Sequence, residues 1–287
     1  MEWSERRDQY LKRMKQFEDV SHLSLSNPTG SILVRHGEYD AFEGDGPGIP
    51  YTVLGMCTSG GGRTRREMGS GTLDDVWRPG RVGLILPGGE ASGFTPTMGI
   101  LNVAFCLDEL PACHGRKLAS DDLAQATTRL YDDPLASSVM TALLHDAELH
   151  GTSTAFFEHG LSLIIHRLAE LAQLSPQSPE TTPKNHRLSR ALDLIEESLD
   201  TDLRVKDLAQ AVALDPRSFT RAFKQETTYT PFAYITRRRM EKAKQLLRSD
   251  MSVTDVASMV GYANPAKFAA AFRRWVGSSP SAWKRRQ

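Results

Sequence analysis

The sequence predicts an α+β protein, with an N-terminal β-barrel and accompanying helices followed by an all-α C-terminal domain. Three observations support this prediction. Residues 31–107 are rich in glycine and β-forming residues, residues 117–174 have helical periodicity, and the last hundred residues contain one helical pattern twice. We expect the domains to span residues 1–174 and 185–287, joined by a linker at 175–184.

The N-terminal domain begins with a predicted helix at residues 3–19, where apolar residues recur at helical spacing. Six segments of β-forming residues follow, separated by glycine-rich turns. The predicted strands are Ser31–His36, Tyr51–Thr58, Arg63–Met68, Leu73–Trp77, Arg81–Leu86 and Gly99–Leu107. Their short, regular spacing favours an all-β barrel or sandwich, in which Gly60–Arg63 is more readily a hairpin turn than a nucleotide loop.

Two helices are predicted after the strands, at Leu135–Leu149 and Ala155–Leu174. In the second, apolar residues repeat at steps of 4, 3, 4 and 3, the spacing of a coiled-coil seam. The seam residues are Phe157, Leu161, Ile164, Leu168 and Leu171. This seam has two interpretations, a helix packed on its own barrel or a dimer interface. The prolines of Ser175–Pro183 then predict a semi-extended linker.

The pattern that occurs twice in the C-terminal domain spans residues 205–224 and 253–273. Each copy predicts a short helix, a tight turn and a longer helix, which together form a helix-turn-helix unit. Asp215 and Asn264 stand at the N-cap of the longer helix, and a proline follows each at the first helical position.

The two copies differ at the residue of the tight turn, which is Ala213 in the first and Gly261 in the second. If this residue has a positive φ, alanine costs about 1 kcal/mol there. Between the copies, Pro231–Leu247 predicts a basic linker helix, and Gly277–Pro280 opens a last short helix.

This arrangement resembles the DNA-binding domain of the AraC family of bacterial transcription regulators. The matching residues are Arg239–Leu247, Val256-Ala257 with Gly261-Tyr262, Phe268 with Phe272, and Gly277 with Pro280. The segment Trp77–Gly89 is more loosely similar to the cupin-like effector domain that precedes this domain in many AraC relatives. The resemblance implies a cupin-like barrel that binds a small molecule and forms a homodimer, RNA polymerase as a partner, and activation of transcription.

The formal net charge of zero conceals a division between the two domains. Residues 187–287 contain 19 Lys and Arg against 11 Asp and Glu, a net of +8, whereas residues 1–186 contain 16 against 24, a net of −8. A basic domain is typical of a protein that binds a polyanion. Three cysteines do not form a disulfide framework, and the sequence has neither a secretory apolar region nor a membrane-spanning run. We therefore expect a cytoplasmic, nucleoid-associated protein.

Position on the two longer helices predicts the contacts with double-stranded DNA. The residues expected to read base edges are Arg217, Ser218, Thr220, Arg221, Asn264 and Lys267. Those expected to contact phosphates are Lys206, Lys224, Arg237, Arg238, Arg273, Arg274 and Lys284, although each could equally be a solvated charge. Because Ala266 and Ala270 cannot hydrogen-bond, the second copy is expected to read bases less well.

The barrel interior is where a small effector would bind. The candidate lining residues are His36, Cys57, Trp77, Phe94 and Phe105, and for each of them a core role is the alternative. The sequence does not indicate the chemistry of the effector.

A metal-dependent cupin enzyme would hold its metal through histidines and a carboxylate on the inner strands. The segment Val34–Tyr39 offers one histidine and one carboxylate but no His-x-His pair, and Ser92 stands where a further histidine is expected. We therefore expect no enzyme activity, no catalytic residues, no metal and no cofactor. Two alternatives stay open: a metal cupin enzyme fused to a DNA-binding domain, and an effector-independent regulator whose barrel serves only for dimerisation.

Overall fold

The computed structural model describes residues 3–14, 18–46, 48–88, 91–112, 115–174 and 183–285. The chain divides into two compact units, Met1–Gln177 and Ser178–Gln287. The first contains two antiparallel β-sheets and packed helices, and the second is helical. The predicted α+β class is therefore confirmed. The two sheets do not close on each other, so the cupin-like barrel stays a prediction.

The N-terminal unit begins with helix α1, Trp3–Met14. The strands are β1 Glu18–Ser26, β2 Ile32–Tyr39, β3 Phe42–Gly46, β4 Thr52–Gly60, β5 Gly62–Met68, β6 Gly71–Trp77, β7 Val82–Ile85, β8 Ala91–Thr95 and β9 Met98–Phe105. Helices α2 Ser120–Leu123, α3 Pro134–His150 and α4 Ala155–Leu174 follow. The first sheet has the order β1-β2-β9-β4-β7 and the second β3-β8-β5-β6.

Six of these strands correspond to the predicted ones, and β1, β3 and β8 were not predicted. Strand β1 begins at Glu18, so the prediction of helix up to residue 19 is wrong at its end, and residues 15–17 lie outside the described part. Strands β3 and β8 pair with each other through Gly44 and Gly93. Backbone pairing needs no side chain, so these glycine-rich segments form strands without β-forming residues at that position.

The prediction of a hairpin at Gly60–Arg63 is also wrong. Strand β4 belongs to the first sheet and β5 to the second, so this segment carries the chain from one sheet to the other. Gly60, Gly61 and Gly62 all have positive φ. A Cβ on Gly61 would stand 2.2 Å from the Trp77 carbonyl oxygen, so the close approach of two chains requires glycine here.

The two faces of the first sheet have different environments because successive side chains of a strand point to opposite sides. Leu101, Val103 and Phe105 of β9 pack in one core with the helices α3 and α4. Ile100 and Asn102 lie on the other face, towards a cavity lined by residues of both sheets.

Helix α4 packs on its own unit through the residues of the predicted seam. Phe157, Leu161, Ile164 and Leu168 are each at most 2% exposed in the core that they share with the first sheet, and the partly buried Leu171 packs against it. The prediction that these side chains form a dimer interface is therefore wrong. A helix that covers a sheet needs the same narrow apolar stripe as a coiled coil, so the spacing alone could not separate the two interpretations.

The C-terminal unit consists of α5 Pro183–Glu197, α6 Val205–Ala211, α7 Pro216–Thr227, α8 Pro231–Leu246, α9 Val253–Met259, α10 Pro265–Val276 and α11 Pro280–Lys284. Residues 175–182 of the predicted linker lie outside the described part of the chain. Helix α5 begins at Pro183, within the last two residues of that linker. In the described part of the chain, no helix is both long and apolar enough to span a bilayer.

Candidate nucleic-acid interface

The first helix-turn-helix unit consists of α6, a tight turn and α7. Asp215 caps α7, its side chain accepting hydrogen bonds from the N–H groups of Arg217 and Ser218, both at 3.0 Å. The apolar face of α7 buries Phe219 and Phe223, and the Phe223 ring meets Tyr234 of α8 edge-on at 5.4 Å between centroids. This packing directs the opposite face of α7 to solvent.

The second unit repeats the arrangement with α9 and α10. Asn264 Oδ1 accepts from the N–H groups of Ala266 and Lys267 at 2.8 and 3.2 Å. Phe268 and Phe272 are fully buried, and Phe272 lies 6.3 Å from the Trp283 ring of α11. Both predicted helix pairs, their caps and their proline starts are thus present in the structure.

The predicted base-reading residues of α7 differ in how available their polar groups are. Arg217 and Arg221 are both exposed. The Thr220 hydroxyl donates to the Pro216 carbonyl at 2.7 Å. The Ser218 hydroxyl bonds Asp215 and, with the N–H groups of the cap, holds the pKa of that carboxyl below its usual value. The two arginines are therefore the main base-reading candidates of the first unit.

On α10, the outward face offers less hydrogen-bonding chemistry. Asn264 uses its Oδ1 as the helix cap, which leaves only its NH₂ group to donate to a base. Lys267 is exposed, and Ala266 and Ala270 are exposed beside it. Trp275, which is 41% exposed near the end of α10, was not predicted.

The predicted phosphate contacts divide into exposed and engaged side chains. Lys206, Lys224, Arg273 and Arg274 are exposed and can reach a DNA backbone. The Lys284 ammonium instead donates to the Met251 carbonyl at 2.7 Å, so it ties α11 to the segment before α9.

Arg237 and Arg238 are not available for phosphates, and their assignment is wrong. They are 7% and 8% exposed. Arg237 Nε lies 2.9 Å from Glu241 Oε1, and Arg238 Nε lies 2.7 Å from Glu196 Oε1 of α5. Burial lowers the pKa of Arg238, but its hydrogen bond to Glu196 and the charges of Glu196 and Glu241 raise it above its ordinary value. The basic linker helix thus uses Arg238 to bind α5, whereas Arg237 pairs with Glu241 of the same helix.

Arg239 of α8 connects the segment before α6 with the turn of the second unit, a role the sequence did not indicate beyond its place in the family pattern. Its Nε donates to the Leu199 carbonyl at 2.8 Å and its Nη2 to the Thr201 carbonyl, both in the segment before α6. Its guanidinium also lies 5.6 Å over the ring of Tyr262, next to Gly261 in the turn of the second unit. One side chain therefore contacts both the segment before α6 and the turn of the second unit.

The cavity of the N-terminal unit is lined by only one of the five predicted pocket residues, Trp77. His36 shares the face of β2 that packs towards the helices, and its Nε2 lies 3.2 Å from Thr58 Oγ1. Phe105 is in that helix-side core, and Cys57 is fully buried in the wall formed with Trp77. Phe94 lies between two lining residues of β8 but is not itself a lining residue.

The phase of the strands explains why His36, Phe94 and Phe105 do not line the cavity, whereas Cys57 lies on the same face of β4 as the lining residues Val53 and Gly55 but is fully buried. A strand pattern predicts that residues alternate, but not which set faces the cavity when both faces are apolar. The described residues contain no group of three His, Cys, Asp or Glu side chains close enough to hold a metal ion.

Two consecutive helix-turn-helix units, each with an outward second helix, define a DNA-binding domain. Residues 208–286 match the helix-turn-helix domain family. The chain is 34% identical over 119 residues to the HTH-type transcriptional activator RhaS of Klebsiella pneumoniae, covering 41% of this chain and 43% of that protein. It is 29% identical over 137 residues to the transcriptional activator NphR of a Rhodococcus species, covering 47% and 40%.

Among solved structures, the chain is similar to a transcriptional regulator from Chromobacterium violaceum described by its AraC-type DNA-binding domain. The identity is 25%, the match covers 34% of this chain and 89% of that one, and the TM-score is 0.33. The chain spans less than half the length of the curated relatives named above. The C-terminal unit belongs to the AraC-type helix-turn-helix domains, as the sequence predicted.

Proposed function

We propose that the whole chain is a sequence-specific transcription regulator, an activator that responds to a small molecule and acts as a homodimer. The observation that carries this proposal is the pair of outward helices α7 and α10 on a unit whose residues 187–287 have a net charge of +8. The relatives are named as activators, which supports activation and, with it, contact with RNA polymerase.

The two recognition helices are expected to read their half-sites unequally. Arg217 and Arg221 on α7 can donate to base edges, whereas α10 presents Ala266, Ala270 and the single ammonium of Lys267. Base-pair changes in the half-site of α7 should cost about 1–3 kcal/mol each, and those in the half-site of α10 should mostly cost less.

The test is a binding assay at fixed salt on every single-base variant of a site selected from random duplexes. Arg221→Ala should relax specificity at one position, whereas Arg273→Ala should weaken binding to all sequences and reduce the salt slope by about 1. Arg116→Ala, an exposed cation of the N-terminal unit, is the control and should change neither quantity. Equal base dependence in both half-sites would contradict the assignment.

The homodimer requires a surface other than the buried seam of α4. Phe156 and Leu163, one heptad apart on the outward face of α4, are 53% and 47% exposed and are the apolar residues best placed for it. Sedimentation of Phe156→Asp/Leu163→Asp should give a folded monomer. Leu161→Asp should instead unfold the N-terminal unit. An unchanged dimer in the double variant would place the interface elsewhere.

The response to a small molecule is supported by the cavity between the sheets, since apolar cavities with a few polar groups are the usual small-molecule sites of proteins. Thermal stabilisation of the full chain by a metabolite, together with a change in DNA affinity, would support it. No stabilising compound in a broad screen would favour the effector-independent regulator. A stoichiometric first-row metal in the purified protein would favour the metal cupin enzyme.

A further inference from the structure

The cavity of the N-terminal unit is the size of one small ring. Its volume is about 160 Å³. An engineered apolar cavity of about 150 Å³ in another protein binds benzene, so this cavity has space for a monocyclic molecule with a short substituent. Most of the wall is apolar and includes Leu84, Met98 and Ile100.

Two glycines in register make room for the polar groups of the wall. Gly55 of β4 pairs with Gly83 of β7 and, on its other side, with Asn102 of β9. A Cβ on Gly83 would stand 2.9 Å from Cη2 of Trp77, and one on Gly55 would stand 3.1 Å from Oδ1 of Asn102. Side chains at either glycine would therefore displace Trp77 or Asn102 from the cavity wall.

Trp77 has a hydrogen-bond donor without an acceptor. The residue is 4% exposed, and no described group accepts a hydrogen bond from its buried Nε1. An indole N–H can only donate, and a buried donor without a partner is unfavourable. Trp77 is a lining residue of the cavity, so a bound molecule whose carbonyl oxygen reached Nε1 would satisfy this donor.

The charged groups at the cavity favour a neutral molecule. Asp40 and Arg66 both line it, one of each sign. Arg66 is held across the second sheet, where its Nε and Nη2 lie 3.1 and 2.8 Å from Thr95 Oγ1. Opposite charges on one lining give no net attraction for an anion or a cation, and burying an ion against a mostly apolar wall is unfavourable.

We infer that this cavity binds a neutral, monocyclic organic molecule about the size of benzene with a short substituent, whose carbonyl or similar oxygen accepts a hydrogen bond from Trp77 Nε1. The inference rests on the proposed response to a small molecule and gives that molecule its chemical class. Four of the five pocket residues predicted from the sequence do not line this cavity.

The test compares two probes of the same shape, acetophenone and α-methylstyrene. Acetophenone has a carbonyl oxygen where α-methylstyrene has a CH₂ group. Both should bind the full chain, and acetophenone should bind about tenfold more tightly, which corresponds to about 1.4 kcal/mol. Trp77→Phe should bring the ratio of the two dissociation constants close to 1. Trp275→Phe, which removes an exposed indole of the C-terminal unit, should leave the ratio unchanged. Benzoate should bind more weakly than acetophenone.

If Trp77→Phe does not fold, the four indole N–H resonances of the unmodified chain decide the question. One of them should move downfield with acetophenone and not with α-methylstyrene. Equal affinity for the two probes, or no binding of either, would overturn the inference.

DNA affinity measured in the same samples separates this inference from the proposed function. Tight acetophenone binding with unchanged DNA affinity supports the site but contradicts the proposed response to a small molecule. Failure of both probes with intact, sequence-specific DNA binding overturns the site alone.

Discussion

The two helix-turn-helix units have the same arrangement of helices but carry different residues at the two positions where the backbone has a positive φ. The turn residue is Ala213 in the first unit, with φ +54°, and Gly261 in the second, with φ +75°. The residue after the second helix is Thr228 in the first, with φ +66°, and Gly277 in the second, with φ +80°. The first unit therefore places side chains where the second has glycine.

The surroundings of the turn explain the first of these differences. A Cβ on Gly261 would stand 2.6 Å from the Leu199 carbonyl oxygen and 2.7 Å from Nη2 of Arg239, so only glycine fits. Ala213 is exposed, and its Cβ has space. The second unit therefore needs glycine for the close approach of Arg239, whereas the first tolerates a left-handed alanine at a cost of about 1 kcal/mol.

The units also differ in what they offer to DNA. The first has two exposed arginines on its recognition helix and a backbone with two left-handed non-glycine residues. The second has a relaxed backbone and two alanines at the corresponding surface. The better base-reading chemistry thus lies in the unit with more backbone strain.

The largest expected effect concerns the buried ion pairs of Arg238, which hold α5 to α8. Arg238→Ala leaves Glu241 and Glu196 without their shared partner and should lower the free energy of unfolding of the C-terminal unit by about 3–5 kcal/mol. Denaturant unfolding measures it. Lys242→Ala on the same helix is the control and should stay within about 0.5 kcal/mol. A small loss for Arg238→Ala would mean that the buried charges are not essential to this unit.

The second prediction tests the crowded turn. Gly261→Ala should lower the free energy of unfolding by about 2–4 kcal/mol, because left-handed strain adds to overlap with Leu199 and Arg239. Hydrogen exchange should show faster opening of α9 and of the segment that precedes α6. If the variant is as stable as the parent, Arg239 and Leu199 can move away from the turn at little energetic cost.

The reverse substitution in the first unit should have the opposite sign and a smaller size. Ala213→Gly relieves about 1 kcal/mol of left-handed strain, of which the greater entropy of the unfolded glycine chain offsets about 0.4–1 kcal/mol, so the free energy of unfolding should rise by about 0–0.6 kcal/mol. The same denaturant experiment measures it. Destabilisation would show that the alanine side chain has favourable contacts that outweigh its backbone strain.

The smallest effect distinguishes the two caps by pH. Hydrogen bonds from Ser218 lower the pKa of Asp215 in the folded state, so its contribution is present above the unfolded pKa and is lost as pH falls through the folded pKa. Asn264 does not titrate in this range. Acidification below about pH 4 should therefore increase exchange at the start of α7 before that of α10. Asp215→Asn should remove the difference, and equal exchange in the parent would contradict it.

The helix boundaries of the C-terminal unit were predictable because their signals are local. Asp215 and Asn264 each lie next to the proline that starts their helix. The roles of Arg237 and Arg238 were not, because Arg238 binds Glu196, which is far away in the sequence. A run of arginines on a helix has the same appearance whether its partners are phosphates or buried carboxylates.

The N-terminal unit was less predictable because its signals are ambiguous in themselves. The spacing of Leu161 and Leu168 suits both a dimer seam and a core. Both residues are fully buried within the N-terminal unit, so they belong to its core. Alternation along β2 and β9 indicated strands, but which face holds the cavity depends on where α3 and α4 pack. His36 and Phe105 were therefore assigned to the wrong side.

The contacts of Arg239 have a consequence for the expected DNA sites as well as for the protein. Because one side chain holds the segment before α6 beside the turn before α10, it restrains the elements that lead into the two recognition helices. One inserted base pair moves a half-site by about 3.4 Å and turns it by about 35° around the duplex axis. Under the proposed function, the DNA sites of this protein are therefore expected to tolerate changes in base sequence better than changes in the length of the spacer between the half-sites.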